Sequence, residues 1–210
     1  METICEAGQL VEYVAQLRRK QFEDNELAGL LGPVMRLIAT GRTVSAADVA
    51  RAANRTVDDV ERTLRGCPGA DWGSGDRLMG LGIRLRPTPH RLSLGGRHLY
   101  ACCPFDALMV PIVLDAVVTL ESPCRVTGTM VRVRTAPGGL VDVEPESAVM
   151  SVLTCADKAT PLDWSTCVYQ VMFRDRNVAK WWLRNHPGYC PLSVSEAYDS
   201  VTRLAALLRG

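Results

Sequence analysis

The chain has 210 residues, 47% of them hydrophobic and 22% charged. That balance excludes a mostly disordered chain, a collagen-like repeat and a coiled coil. Lys and Arg number 24 against 23 Asp and Glu, a net charge of +1, so no global field draws the chain to nucleic acid or to an anionic membrane. The length fits one or two compact units. The longest apolar run, near Ala107 to Leu120, is interrupted by Asp115 and falls short of a membrane span. Glu2, Glu6 and Glu12 precede any basic residue, the wrong order for a secretory signal. The expectation is a cytoplasmic protein.

In chain order, the first third reads as helices. Leu10, Val11, Val14 and Leu17 share a helical stripe, and Leu27 to Ile38 is a second apolar segment. Ser45 with Asp48, and Thr56 with Asp59, have the spacing of capping boxes. Val49, Ala50 and Ala53 form one short apolar face, Val57, Val60 and Leu64 the next, with Asn54-Arg55 as the turn between them and Gly66 as a stop. This is a helix-turn-helix pattern. Residues 1 to 65 carry nine basic and ten acidic side chains, and the second helix opens with Asp58, Asp59 and Glu61. Carboxylates there repel phosphates, so a packing module is favoured over a DNA reader. Residues 67 to 97 are rich in Gly, Pro and Arg, with extended pieces at Gly80 to Arg86 and His90 to Leu94 that resemble a hairpin or wing.

Beyond Gly95-Gly96, helix and strand alternate without a βαβ rhythm, which predicts an α+β fold. Helices are expected over Pro104 to Val118, Asn177 to Asn185 and Ser195 to Leu208, the last capped by Ser193 and Glu196. Strands are expected over Arg125 to Arg134, Ala148 to Leu153 and Thr166 to Phe173.

Eight cysteines and three scattered histidines, with no Cys-x-x-Cys pair, give poor support to a zinc ribbon, a thioredoxin-like motif or a zincin site. The informative segment is LYACCPFDALMVP, residues 99 to 111. Pro104 favours a helix start, which puts Cys103 at the N-cap and Asp106 in the first turn. The helix dipole there favours a thiolate, and the i, i+3 spacing brings sulfur and carboxyl to one face. Locally, a capping Asp and a small buried Cys remain the simpler reading. Cys167 in STCVYQVMF would share a strand face with Tyr169, Val171 and Phe173, where a buried core thiol is again the simpler reading. Three functions compete on these residues: a cysteine-based enzyme, a winged-helix metal sensor that uses cysteines, and a thiol-rich metallochaperone. The sensor lacks a basic DNA face, and the chaperone has no need of Asp106.

Leu99-Tyr100-Ala101, Cys103 and Asp106, Pro111, Cys124-Arg125-Val126-Thr127-Gly128, Val143-Glu144-Pro145, Cys167 and the SVSEAY stretch together resemble the organomercurial lyase (alkylmercury lyase) family. The resemblance covers most of the chain. It implies an N-terminal three-helix, winged-helix-like domain with wing and linker over 1–95 that does not read DNA, then a catalytic domain over 96–210 with a mixed β-sheet and flanking helices. It implies cleavage of the carbon–mercury bond of R–Hg⁺ in mercury detoxification. Cys103 and Cys167 would be the catalytic thiols holding mercury, with Asp106 beside it as catalytic proton donor and Cys124 structural. The alternative is a Hg(II)-binding or metal-sensing descendant without lyase activity.

Cys102 stands where the family often carries Trp, and Val168 follows Cys167 where some members have a second Cys. Mercury is soft and prefers thiolates. Asp106 would act first as base towards a cysteine, then as acid towards carbon, its proton held in an apolar pocket walled by Phe105, Leu108 and Tyr100. No cofactor is expected. External small thiols would release Hg(II), with mercuric reductase as an acceptor by family analogy. A monomer is expected, with no nucleic-acid or membrane partner.

Overall fold

A computed structural model describes residues 7–154 and 167–209. Four helices open the chain: α1 (Ala7–Asp24), α2 (Leu31–Ile38), α3 (Ala46–Ala53) and α4 (Val57–Gly66). A helix therefore precedes the three of the expected winged-helix set. The Ser45–Asp48 capping box forms: Asp48 Oδ2 accepts from the Ser45 backbone N–H at 3.0 Å, and Ser45 Oγ from that of Asp48 at 3.2 Å. At α4 only half of the expected box is present. Thr56 Oγ1 accepts from the Asp59 N–H, while the Asp59 carboxylate is taken by Arg55 and Arg62. Asn54 makes the α3–α4 turn at φ 52°, a left-handed position that Asn tolerates. Gly66 is the last residue of α4 rather than its stop; Cys67 caps the helix in an extended conformation. Both basic side chains of α4 are paired with carboxylates, Arg62 with Glu26 and Asp59, Arg65 with Glu61 and Asp76.

The strands are β1 (Asp71–Trp72), β2 (Leu78–Leu81), β3 (Ile83–Arg84), β4 (Arg91–Leu94), β5 (Arg97–Ala101), β6 (Val118–Pro123), β7 (Met130–Ala136) and β8 (Gly139–Glu144), in the sheet order β1-β2-β3-β5-β4-β6-β7-β8. A second sheet orders β10 (Met172–Phe173), β9 (Val149–Leu153) and β11 (Tyr189–Ser193). The sequence reading expected a mixed sheet. Every strand pairing among the described residues is instead antiparallel, because short turns rather than crossover helices join most neighbours. The large sheet passes from the wing strands into β6–β8 without a break, through the β4–β5 hairpin that turns at Gly95-Gly96.

Helix α5 (Pro104–Leu114) is apolar all round except for Asp106 and runs through the core, as a fully buried helix must. It stops four residues short of expectation: Asp115 turns left-handed at φ 49°, and Val118 starts β6. Three later helices, α6 (Arg176–Leu183), α7 (Val194–Thr202) and α8 (Ala205–Arg209), replace the two expected there. The long C-terminal one breaks after Thr202. Ser193 and Glu196 form the expected capping box at α7. Helix α7 packs on α1 and α5, and α8 packs on α5 and α2, so the C-terminal helices lock the N-terminal ones onto α5. The expected strand over 125–134 begins at Met130; Cys124 to Thr129 form a turn, with the Cys124 N–H donating to Thr129 O at 2.7 Å. No described helix is long and apolar enough to cross a membrane.

Candidate active site

Strand β5 ends at Ala101, and the next two residues are the paired thiols. The Cys102 N–H donates to Gly82 O at 2.9 Å, tying this corner to the β2–β3 turn. Gly82 turns there at φ +73°, a conformation open to glycine at no steric cost. Cys103 caps α5 as expected, its Sγ accepting from the Asp106 N–H at 3.5 Å.

Cys167 reaches the site from the other half of the fold. The expected strand over 166–173 is different in the structure: Thr166 lies outside the described residues, Cys167 and Val168 form a helical turn, and only Met172–Phe173 pair as a strand. The shared face with Tyr169, Val171 and Phe173 is therefore absent. The turn aims Cys167 Sγ at Asp106 Oδ2, 3.8 Å away, and leaves Tyr169 against the rings of Trp182, His186 and Tyr189. Cys102, Asp106 and Cys167 offer ligand atoms that all lie within 4.8 Å of one another. Cys103 lies beside them, with Gln170 Nε2 donating to its sulfur at 3.7 Å. The structure thus brings together all three sequence-assigned residues and adds Cys102.

Three neighbours had escaped the sequence reading. Arg84, within the expected wing-like piece Gly80 to Arg86, is buried and donates from Nε to Cys102 Sγ at 2.7 Å. Its other nitrogens reach Asp71 Oδ2 at 3.3 Å and Gly69 O at 3.2 Å. Arg18 of α1 is 3% exposed, donates to Gln21 Oε1 at 3.1 Å and lies 4.9 Å above the Phe105 ring. Gln170 is fully buried. Only an Arg on an otherwise apolar helical stripe could have flagged Arg18 in advance.

The pocket walls also differ from expectation. Phe105, Leu108 and Tyr100 do not line the inner pocket. Phe22, Leu27, Leu31, Leu81 and Met109 do, around Cys102, Asp106 and Cys167. Asp106 and Met109 are three apart on α5 and share that face, which turns Phe105 and Leu108 into the core. The helical N-terminal segment is therefore a wall of the site. A second, outer cleft of about 340 Å³ opens between Pro87–His90, Pro123–Arg125, Val168 and Val171, and Cys102 and Cys167 line it as well.

Burial sets the proton affinities. It pushes the Asp106 carboxyl above the usual range, against the pull of the Arg18 charge, which suits a group that takes a proton from a thiol and passes it on. It also raises the Cys103 thiol, so the thiolate expected from the helix N-terminus does not form at rest: in a fully buried site desolvation outweighs the dipole. For Cys102, the hydrogen bond shared with Cys167 and then burial raise the thiol. A soft cation must displace these protons when it binds.

Cys124 is buried in its turn, Cys190 lies 3.6 Å from Thr154 Oγ1, and Cys67 lines the inner pocket. Cys5 and Cys155 lie outside the described residues.

An α+β fold with a helix-walled pocket that gathers cysteine sulfurs around one carboxyl defines a protein whose donor set suits a soft metal. Comparison with known proteins gives the family. A family model described as alkylmercury lyase matches residues 83–206, and one described as the helix-turn-helix domain of alkylmercury lyase matches residues 9–82. Alkylmercury lyase of Bacillus cereus is 32% identical over 194 residues, 92% of this chain and 88% of that one. The Staphylococcus epidermidis enzyme is 33% identical, covering 93% and 91%, and the Streptomyces lividans enzyme 35%, covering 85% and 83%. The crystal structure of the mercury-bound form of MerB2 superposes with a TM-score of 0.76 at 22% identity, over 95% of this chain and 99% of that one. The chain belongs to the alkylmercury lyase family.

Proposed function

We propose that the protein cleaves the carbon–mercury bond of organomercury cations by protonolysis, with Cys103 and Cys167 as mercury ligands and Asp106 as the proton carrier. The meeting of Asp106 with two sulfurs from opposite halves of the fold carries this reading: its backbone N–H donates to Cys103 Sγ, and Cys167 Sγ lies 3.8 Å from its Oδ2. The net reaction takes R–Hg⁺ and two thiols to R–H, a bis-thiolate Hg(II) site and one released proton. Binding the first sulfur releases its proton. Asp106 takes the proton of the second thiol as that Hg–S bond forms, then delivers it to carbon as the C–Hg bond breaks. Two thiolates push electron density onto the C–Hg bond, which makes the carbon basic enough to accept it. Mercury stays Hg(II) throughout, so the step calls for no electron donor. Small thiols in excess would then strip Hg(II) from the site, in a monomer working in the cytoplasm.

The paired carboxylates on α4 favour this reading over a DNA-binding sensor, since the helix offers phosphates no unpaired cation. The test is benzene release from phenylmercury by the purified protein with excess thiol and no other addition. Turnover in the wild type and its loss in both Cys103→Ala and Cys167→Ala are expected. Wild-type rates in either variant reject the assignment, and Hg(II) binding without benzene release identifies a binding protein instead.

A further inference from the structure

We propose that Cys102 is a third mercury ligand, and that the Hg(II) left after cleavage is held by Cys102 and Cys167 beside Asp106. The inference rests on the reading above and extends it to a residue outside the assigned pair. The compact donor set at this site is Cys102, Asp106 and Cys167, with ligand atoms all within 4.8 Å. Its two sulfurs suit a soft ion, and the carboxylate is a weaker third donor. Cys103 is completely buried and lines neither opening, whereas Cys102 and Cys167 line both the inner pocket and the outer cleft. They are the sulfurs that both cavities reach.

Arg84 gives Cys102 a built place. Its Nε lies 2.7 Å from the sulfur, and the guanidinium is anchored by Asp71 and the Gly69 carbonyl. A cation at hydrogen-bond distance compensates the charge that a mercury-bound thiolate carries into a buried site. The transfer is a ligand exchange. The Hg–S bond to Cys102 forms as that to Cys103 breaks, and the Cys102 proton passes to the departing Cys103 sulfur. Mercury remains Hg(II), and external thiols meet it from the outer cleft.

The test uses the full chain loaded with one equivalent of Hg(II) chloride and titrated with glutathione. The proteins are the wild type, Cys103→Ala, and Cys103→Ala combined with Cys102→Ser. Serine keeps an acceptor for Arg84 and removes only the soft donor; far-UV circular dichroism and melting confirm folding. Cys103→Ala should keep its Hg(II) with two sulfur neighbours by X-ray absorption. The double variant should lose mercury at a glutathione concentration lower by roughly tenfold or more, since loss of a mere supporting partner already costs a metal site about 10–100-fold. Equal retention in the two variants, or a single sulfur neighbour in Cys103→Ala, overturns the proposal. The reading of the whole site fails separately, if wild-type protein neither holds Hg(II) nor releases benzene from phenylmercury.

Discussion

Asp106 Oδ2 lies 3.8 Å from the sulfur of Cys167, 61 positions further along the chain. One residue sits in the first turn of a buried helix and the other in a turn leading to a short strand. Their meeting puts a carboxyl of raised proton affinity at the point where two thiols can share a metal.

The first expectation concerns Asp106 itself. Asp106→Asn should still bind phenylmercury but release benzene about 10²–10⁴-fold more slowly, the usual contribution of a general acid. Its effect on stability has the opposite sign. Burial raises the folded-state carboxyl, so its contribution is fully present at low pH and is lost as pH rises through the raised value. At pH 7 the Asn variant should therefore melt at the same temperature as the wild type or higher. A lower melting temperature would mark the carboxyl as structural.

Arg18 tunes that acid. Its charge opposes the effect of burial on Asp106, and its Nη2 has no hydrogen-bond partner among the described residues. In Arg18→Met the carboxyl should hold its proton to higher pH. The rising limb of the rate against pH, which follows the ionised carboxylate that takes the thiol proton, should then move upward. A profile that only drops in height would assign Arg18 to packing against Phe105.

His90 predicts an acid-labile fold. The ring is buried, with Nδ1 2.8 Å from Ser122 Oγ, and burial lowers its pKa from 6.5 to about 4. Below pH 6.5 the unfolded chain takes up a proton that the native ring refuses. Stability therefore falls as the pH drops towards 4, by ~3 kcal/mol at the low end. Urea midpoints measured across this window should fall in the wild type and fall less in His90→Gln.

Gly32 reports on how the C-terminal helices hold the pocket wall. A Cβ on this residue of α2 would meet the Leu208 carbonyl oxygen at 2.1 Å, and backbone yields less readily than a side chain. Gly32→Ala should destabilise the protein by about 1–3 kcal/mol, as overpacking does. Gly8→Ala in α1 has open space and should stabilise by about 0.5–1 kcal/mol. Thermal melts of the two variants should move in opposite directions.

Local signals carried much of this protein in its sequence. The capping boxes at Ser45 and Ser193 were legible because cap, first turn and hydrogen bond lie within four residues. So was the Cys103–Asp106 helix start, where Pro104 sets the backbone and i, i+3 sets the face. The helical periodicity of the first third and the absence of a basic recognition helix followed from residue types alone. Strand β11 was missed because Pro191 breaks its strand pattern, and β8 because its short run follows directly on the turn at Pro137-Gly138.

Tertiary structure alone decided what surrounds the thiols. Arg18 comes from α1, Arg84 from β3 and Gln170 from the segment after Cys167, and no spacing rule links such distant positions. The pocket walls came from Phe22, Leu27 and Leu31 with Met109, rather than from Phe105, Leu108 and Tyr100, because a buried helix shows different partners on each face. The ionisation of the site followed the same division. The sequence determined that a thiol caps a helix and a carboxyl follows it; burial of both then outweighed the helix dipole, because desolvation depends on atoms that the whole fold brings around them.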